Sequence, residues 1–195
     1  MIKNKLIWSF VCVVLISCGN STYEPQEYIS TNLTDEKINL SKEVFKKLKK
    51  EHYIKNFVKD DFNNKYIDAL IERLDENKLY FLESEIKNFK EESSQYSGKS
   101  FDIDLAYLII NLYFERLVDF SEFQIKLIEK DSFDFTKDEF IDIYYEDNQW
   151  PASEALLKNI WRNETKNDLL AALMSETLSD DPNKVLLKRY KNRIR

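Results

Sequence analysis

The stretch from Phe62 to Leu82 constrains the fold more than any other part of the chain. Its apolar residues recur at four-residue spacing: Phe62, Tyr66, Leu70 and Leu74. This spacing predicts a helix with one continuous apolar face. The helix should end near Asp75-Glu76-Asn77, because Asp and Asn side chains compete for backbone hydrogen bonds. The next four residues, Leu79 to Leu82, are all large and apolar and return to the same core. We therefore predict a packing nucleus here, not an active site.

Glycine and proline are scarce, with two and three residues among 195. Sheets joined by tight turns usually need more of both, so this composition favours helices. Helical spacing also recurs elsewhere, and its longest run extends from Phe101 to about Lys130. The sequence thus predicts a mainly all-α domain, a bundle of about six helices. Only residues 133–145 favour short extended structure, because their apolar residues are mostly aromatic or β-branched.

The predicted helices have recognisable first turns and faces. Residues suited to the first turn are, in chain order, Thr34 or Asp35, Asp60-Asp61, Ser84, Ser153 and Pro182. In the first helix, an apolar stripe is expected to face the core and consists of Leu40, Val44, Phe45 and Leu48.

The beginning of the chain has the pattern of an export signal. Lys3 and Lys5 precede an apolar run from Leu6 to Ile16, which at about eleven residues is too short to span a bilayer. The run ends in Leu15-Ile16-Ser17-Cys18-Gly19, which resembles a bacterial lipobox. In such signals the cysteine is lipid-modified and becomes the first mature residue. The alternative is an ordinary export signal with an incidental cysteine.

These features predict the organisation and location of the chain. We expect a lipoprotein-type signal peptide at residues 1–17, a polar tether at 18–35 and one helical domain at 36–195. The lipid anchor at Cys18 would be the contact with the membrane. Gly19 after the cysteine resembles the outer-membrane sorting pattern of Gram-negative lipoproteins. We therefore expect the protein in the cell envelope, on the periplasmic side and attached to the outer membrane.

Few residues could carry nucleophilic or metal chemistry. His52 is the one histidine, so a Ser-His-Asp triad or a histidine metal site would have to be built around it. Its position at a predicted helix end beside Tyr53 favours a packed or capping role. Both cysteines lie in the first eighteen residues, so acylation of Cys18 would leave no free thiol in the mature chain. The two glycines cannot form a phosphate-binding loop, and we expect no cofactor.

Charged clusters are the other candidates. Acidic pairs that could supply acid–base groups or metal ligands are Asp60-Asp61, Asp102/Asp104, Asp138-Glu139 and Glu146-Asp147. Each lies at a predicted helix start or in a polar loop, which favours solvated caps. A basic cluster ends the chain, and we expect it to be a solvated helix face: Lys184, Lys188, Arg189, Lys191, Arg193 and Arg195. The net charge of −6 gives no support to nucleic-acid binding. The sequence predicts no catalytic, cofactor-binding or metal-binding residue.

An ordered set of short phrases nevertheless resembles a known family. The phrases are His52-Tyr53, Asp60-Asp61, the run Leu74 to Leu82, Phe133-Asp134-Phe135 with Asp138-Glu139, Trp150-Pro151, Trp161-Arg162, Lys166 to Leu170, and Leu187 to Tyr190. Together they resemble the helical N-terminal domain of bacterial tail-specific (carboxyl-terminal processing) proteases, over about residues 40–195. One departure is Glu76, which stands where the family's turn phrase has proline.

The resemblance implies a function for a longer protein. Such proteases are periplasmic serine endopeptidases that recognise nonpolar C-terminal tails through a PDZ domain and cut with a Ser/Lys dyad. Both parts lie downstream of the helical domain, so no dyad residue can be assigned to this chain, which alone should be inactive. The resemblance implies protein substrates and, in some relatives, a tetratricopeptide adaptor lipoprotein as partner. The alternatives are a stand-alone helical lipoprotein that acts as scaffold or adaptor, and a helical ligand-binding lipoprotein.

Overall fold

Helices dominate the computed structural model, which describes residues 30–53, 61–96, 100–130, 133–141, 149–175 and 181–194. Within these ranges there are six α-helices and no β-strand. They are α1 (Asp35–Glu51), α2 (Phe62–Leu74), α3 (Glu83–Gln95), α4 (Ile103–Glu129), α5 (Glu154–Leu173) and α6 (Pro182–Arg193). The predicted all-α bundle of about six helices is therefore confirmed. None of the described helices is long and apolar enough to cross a membrane.

The observed helix starts agree with the predicted first-turn residues at three positions and differ from them at two. Thr34 and Ser153 cap α1 and α5 through their side-chain oxygens, and Pro182 is the first residue of α6. The prediction for Ser84 was wrong, because α3 begins at Glu83 and its first turn is closed by the Glu85 carboxylate, which accepts the Leu82 N–H. Asp61 makes no side-chain cap on α2 and instead pairs with Lys65 at 2.7 Å. Asp60 lies outside the described residues.

The extended structure expected near residues 133–145 is absent from its described part. Residues 133–141 form turns and irregular backbone, and 142–145 lie outside the described ranges. The reason is local, because the Asp134 carboxylate accepts both the backbone N–H and the hydroxyl of Thr136 at 2.9 and 2.6 Å. Such side-chain hydrogen bonds compete with strand pairing and favour a turn.

The long helix α4 organises the core, because it contributes to three successive apolar clusters. Its first half packs with α2 and α3, and its last turns pack with α5 and α6. Between them, Phe120 packs with Leu157, Trp161 and Leu79. Leu79 belongs to the connection between α2 and α3, so this connection reaches the centre of the bundle. The predicted nucleus at residues 62–82 therefore lies where the two halves of the core meet.

Helix α1 differs from its prediction, because two of the four residues of its apolar stripe are exposed and Leu48 is only half-buried. Phe45 is buried and packs edge-on against Phe62 and Phe101, with ring centroids 5.9 and 5.2 Å apart. Leu40 and Val44, expected in the core, are 59% and 44% exposed. Phe45 is the buried residue of α1. A contact made by one side chain is too small to cover the whole apolar stripe.

Buried tyrosines make the fold sensitive to alkali. Burial raises the pKa of Tyr80 to about 12, and burial together with the Asp168 carboxylate raises the pKa of Tyr190 well above its ordinary value. Ionisation is easier in the unfolded chain, where the tyrosine pKa is about 10. The stabilisation is thus complete below pH 10 and is lost as pH rises towards the folded-state pKa values.

We predict that the free energy of unfolding falls between pH 10 and 12, with Tyr80 contributing up to about 2 kcal/mol of the loss. Urea unfolding at several pH values measures it. The Tyr80→Phe variant cannot ionise at this position and should lose correspondingly less stability. An identical decline in both proteins would contradict the assignment.

Candidate functional site

The most concentrated polar chemistry in the described structure surrounds the carboxylate of Asp75. This side chain is 1% exposed and lies just after the last residue of α2. Its Oδ1 accepts the backbone N–H of Leu79 at 2.6 Å, and its Oδ2 accepts those of Tyr80 and Phe81 at 3.1 and 3.0 Å. The indole N–H of Trp150 donates to the same Oδ2 at 3.1 Å. Four donors thus converge on one buried carboxylate.

The sequence around Asp75 explains why the chain turns there. The N–H of Lys78 donates to the carbonyl oxygen of Asp75 at 3.0 Å, which closes a four-residue turn. Lys78 itself has φ of 55°, a left-handed conformation that costs about 1 kcal/mol for a non-glycine residue. Glu76 occupies an exposed position in this turn, so its side chain lies at the surface. The carboxylate of Asp75 stabilises a turn that its own local sequence does not favour strongly.

The electrostatics of Asp75 balance two opposing effects. Burial raises the pKa of its carboxyl group, and the hydrogen bonds from Phe81, Leu79, Tyr80 and Trp150 offset part of that rise. The carboxylate is buried and its Oδ2 already accepts three hydrogen bonds, so a substrate could not reach it as a general base without displacing these contacts. Geometrically, Asp75 is therefore suited to organising the backbone.

Two further contacts attach the segment from Asp75 to Glu83, which we call the 75–83 segment, to the second half of the chain. The indole N–H of Trp161 in α5 donates to the carbonyl oxygen of Leu79 at 2.6 Å. The N–H of Glu83 donates to the carbonyl oxygen of Pro151 at 3.0 Å. Together with the Trp150–Asp75 hydrogen bond, these contacts hold the start of α5 against the end of α2 and the beginning of α3.

A second polar cluster attaches residues 133–141 to α5. Lys166 is only 8% exposed, and its ammonium group donates to the carbonyl oxygen of Asp134 at 2.6 Å and pairs with Glu139. Arg162, one helical turn earlier, also pairs with Glu139 at 3.2 Å. The hydrogen bond from Lys166 holds the pKa of Glu139 below its ordinary value. These contacts seat Phe133 and Phe135 beside the cations of α5, with the Arg162 guanidinium 5.8 Å from the Phe133 ring centre.

A groove of about 470 Å³ runs between α4 and α5. Leu157, Trp161 and Phe123 contribute its apolar lining. Its rim carries both signs of charge, and the basic residues Lys126 and Lys158 pair with Glu122 and Glu154 on the same helices. Within the described residues, no group of three His, Cys, Asp or Glu side chains could hold a metal ion. The groove is therefore a concave surface with an apolar lining and a rim of mixed charge, which are features of a binding surface.

The acidic pairs singled out in the sequence have separate local roles. Asp102 caps α4 by accepting the Leu105 N–H at 3.2 Å, but it is buried, so the prediction of a solvated cap was wrong there. Burial raises the pKa of its carboxyl group. Glu139 is paired with two cations of α5, while Asp104 and Asp138 are exposed. Glu146 and Asp147 lie outside the described residues.

The remaining sequence candidates are also placed by the structure where it describes them. His52 occupies the C-cap of α1 and stacks on Tyr53, with ring centroids 4.7 Å apart, as expected for a capping histidine. The basic end is only partly a solvated face. Arg193 donates to the Gln124 side-chain oxygen at 2.8 Å, and its guanidinium lies 5.7 Å from the Phe120 ring centre. Cys18 and Arg195 lie outside the described residues.

Sequence reasoning missed the two buried charges that matter most, Asp75 and Lys166. Asp75 was interpreted as a helix stop, and its remote donor Trp150 is 75 positions away. Lys166 was named only as part of the phrase Lys166 to Leu170, with no structural role. The sequence did contain a signal at Asp75, because this carboxylate precedes the apolar run Leu79 to Leu82. If the run is buried, its backbone N–H groups need acceptors, and a nearby carboxylate can supply them.

The fold and these clusters define a helical domain whose buried polar side chains hold its two halves together. The sequence profile of the tail specific protease N-terminal domain family matches residues 44–195. The tail-specific protease of Haemophilus influenzae is 25% identical over 203 residues, covering 100% of this chain and 29% of that protein. The chain therefore belongs to the tail-specific protease N-terminal domain family. It spans less than a third of the length of the relative it matches.

We predict that Asp75→Asn lowers the free energy of unfolding by about 3 kcal/mol, because the amide has one acceptor oxygen for four donors and adds its own N–H groups. Chemical denaturation measures the loss. Glu76→Gln is the matched control, since it makes the same charge change at the exposed neighbouring position and should stay within about 0.5 kcal/mol of wild type. Equal effects of the two substitutions would refute the role of Asp75.

Proposed function

We propose that this chain acts as the non-catalytic N-terminal helical domain of a tail-specific protease, an endopeptidase that degrades proteins with nonpolar C-terminal tails. The observation that carries the proposal is the family match over residues 44–195. The protein substrates, the PDZ domain and the Ser/Lys dyad belong to the proposed whole enzyme. A tetratricopeptide adaptor lipoprotein is a proposed partner of that enzyme.

The structure supports a mechanical role for such a domain. The 75–83 segment is bonded to α5 and to the residues before it by three long-range hydrogen bonds. Those bonds, and the shared contacts of α4 with both core halves, make α2 to α6 one packed unit. A protease domain that shapes an enclosure around its substrate needs such a frame, because a frame that deforms cannot keep the substrate aligned with distant catalytic groups.

A chimera tests this function directly. We expect this chain to restore cleavage of a protein with a nonpolar C-terminus when it replaces the matching segment of the Haemophilus influenzae tail-specific protease. The same substrate with a charged C-terminus is the control for tail specificity. A chimera that folds, as judged by circular dichroism, but cleaves neither substrate would contradict the proposal.

The chain by itself should show no peptidase activity. Purified residues 18–195 are expected to leave a peptide with a nonpolar C-terminus intact over the time in which the chimera consumes it. Cleavage that serine-directed inhibitors block would show instead that this chain carries its own catalytic residues. The two assays use one substrate, so their outcomes can be compared directly.

We also propose that the protein is exported and anchored by a lipid on Cys18, in the cell envelope of a Gram-negative bacterium and on the outer membrane. The sequence pattern Leu15 to Gly19 supports this assignment. Labelled palmitate should be incorporated into the protein in a Gram-negative host, and Cys18→Ala should abolish the incorporation. Cys12→Ala is the control, because Cys12 lies within the apolar run. Equal labelling of both variants would exclude Cys18 as the anchor.

A further inference from the structure

The outer surface of α1 combines two features that the bundle does not use. Leu40 and Val44 are 59% and 44% exposed. They lie one helical turn apart, so they form a continuous apolar strip on the helix surface. Near the end of the helix, Tyr53 is 87% exposed and stacks on His52. Phe45 packs against Phe62 and Phe101, and it lies about 100° around the helix from Val44 and about 140° from Leu40. The exposed strip therefore lies beside the buried contact of α1 and faces solvent.

The same helix carries a concentrated positive charge. Five lysines lie between residues 42 and 50, with Glu43 as the one acid among them. All five are exposed: Lys42, Lys46, Lys47, Lys49 and Lys50. None of these lysines forms an ion pair within the described part of the chain, whereas lysines on α2 to α6 pair repeatedly with carboxylates. The whole chain has a net charge of −6, so this surface is basic on a protein that is acidic overall.

Helix geometry places the two features side by side. Lys47 is seven residues from Leu40 and three from Val44, so it extends the exposed apolar strip. Lys46 and Lys50 are four residues apart and form a second row beyond Lys47, about 120° around the helix from the strip. An apolar strip bordered by lysines on an otherwise polar helix is the pattern of helices that lie in the interface of an anionic membrane. Lysine side chains can extend to the headgroups while aliphatic groups enter the acyl boundary.

We propose that α1 is a membrane-contacting helix whose lysines bind anionic lipid headgroups while Leu40 and Val44 enter the bilayer interface. Charge complementarity carries the choice of a lipid surface, because phosphate groups of the headgroups match lysines that have no partner in the described structure. The surface would orient the domain on the membrane, which a lipid on one residue cannot do. This orienting role rests on the proposed export, whereas the lipid binding does not.

Vesicle binding tests the proposal with the unacylated protein, residues 19–195, which include every described residue. We expect at least about tenfold tighter binding to vesicles of phosphatidylcholine with phosphatidylglycerol than to phosphatidylcholine alone. High salt should weaken the binding, because it screens the lysine–headgroup attraction. Equal affinity for both vesicles, or no binding to either, would overturn the proposal and leave a protein partner for this surface.

Matched variants locate the binding surface. Lys46→Gln with Lys50→Gln should reduce affinity for the anionic vesicles about tenfold or more. The control is Lys184→Gln with Lys188→Gln, since these lysines are also exposed and four residues apart, on α6. It should change the affinity less than about threefold, because α6 is not expected to contact the lipid. Equal losses in both pairs would mean that net charge, and not α1, determines binding.

A third variant separates insertion from charge attraction. Leu40→Ser with Val44→Ser keeps every lysine but removes the apolar strip, and we expect it to weaken binding even at low salt. Circular dichroism confirms that each variant folds, which the exposure of these positions allows. Unchanged binding by this variant would overturn the insertion of α1. These results are independent of the chimera assay, so failure of the lipid proposal leaves the proposed protease role standing.

Discussion

The carboxylate of Asp75 is the constraint on which the rest of this structure depends. Taking a carboxylate out of water is costly unless hydrogen bonds replace the lost hydration, and here three backbone N–H groups and one indole do so. The same bonds fix the path of the backbone from α2 to α3, including the left-handed Lys78. They place Leu79 and Phe81 in the core, where each belongs to a different cluster.

Because Phe81 packs with the first half of α4 and Leu79 packs with its middle, the 75–83 segment connects the two halves of the core. Trp150 and Trp161 complete the connection from the other side, each by one indole N–H. Each tryptophan thus buries a large apolar surface and has one N–H donor. The donor of Trp150 bonds to the Asp75 carboxylate, and that of Trp161 bonds to the Leu79 carbonyl oxygen. The bundle gains specificity from these few polar contacts, since apolar packing alone tolerates several arrangements.

The sequence predicted what depends on local pattern and missed what depends on remote partners. Spacing predicted α2 and α4, and side-chain chemistry predicted the starts of α1 and α5, because helical periodicity and capping act over a few residues. The role of Asp75 depends on Trp150, and the burial of Lys166 depends on Asp134 and Glu139. Likewise, the exposure of Leu40 and Val44 could not be read from α1, since their stripe is indistinguishable from one that is covered.

The distribution of charge separates the surfaces of this domain by role. On α2 to α6 several cations pair with nearby carboxylates: Arg116 with Glu85, Lys166 with Glu139 and Arg189 with Asp168. These pairs fix neighbouring elements and leave little field for long-range attraction. On α1 the five lysines between residues 42 and 50 form no ion pair within the described ranges, and the same helix exposes Leu40 and Val44. Packing of the bundle cannot account for that difference, because Phe45 alone supplies the buried contact of α1. The exposed lysines and aliphatic side chains of α1 are suited to contact a surface outside the bundle.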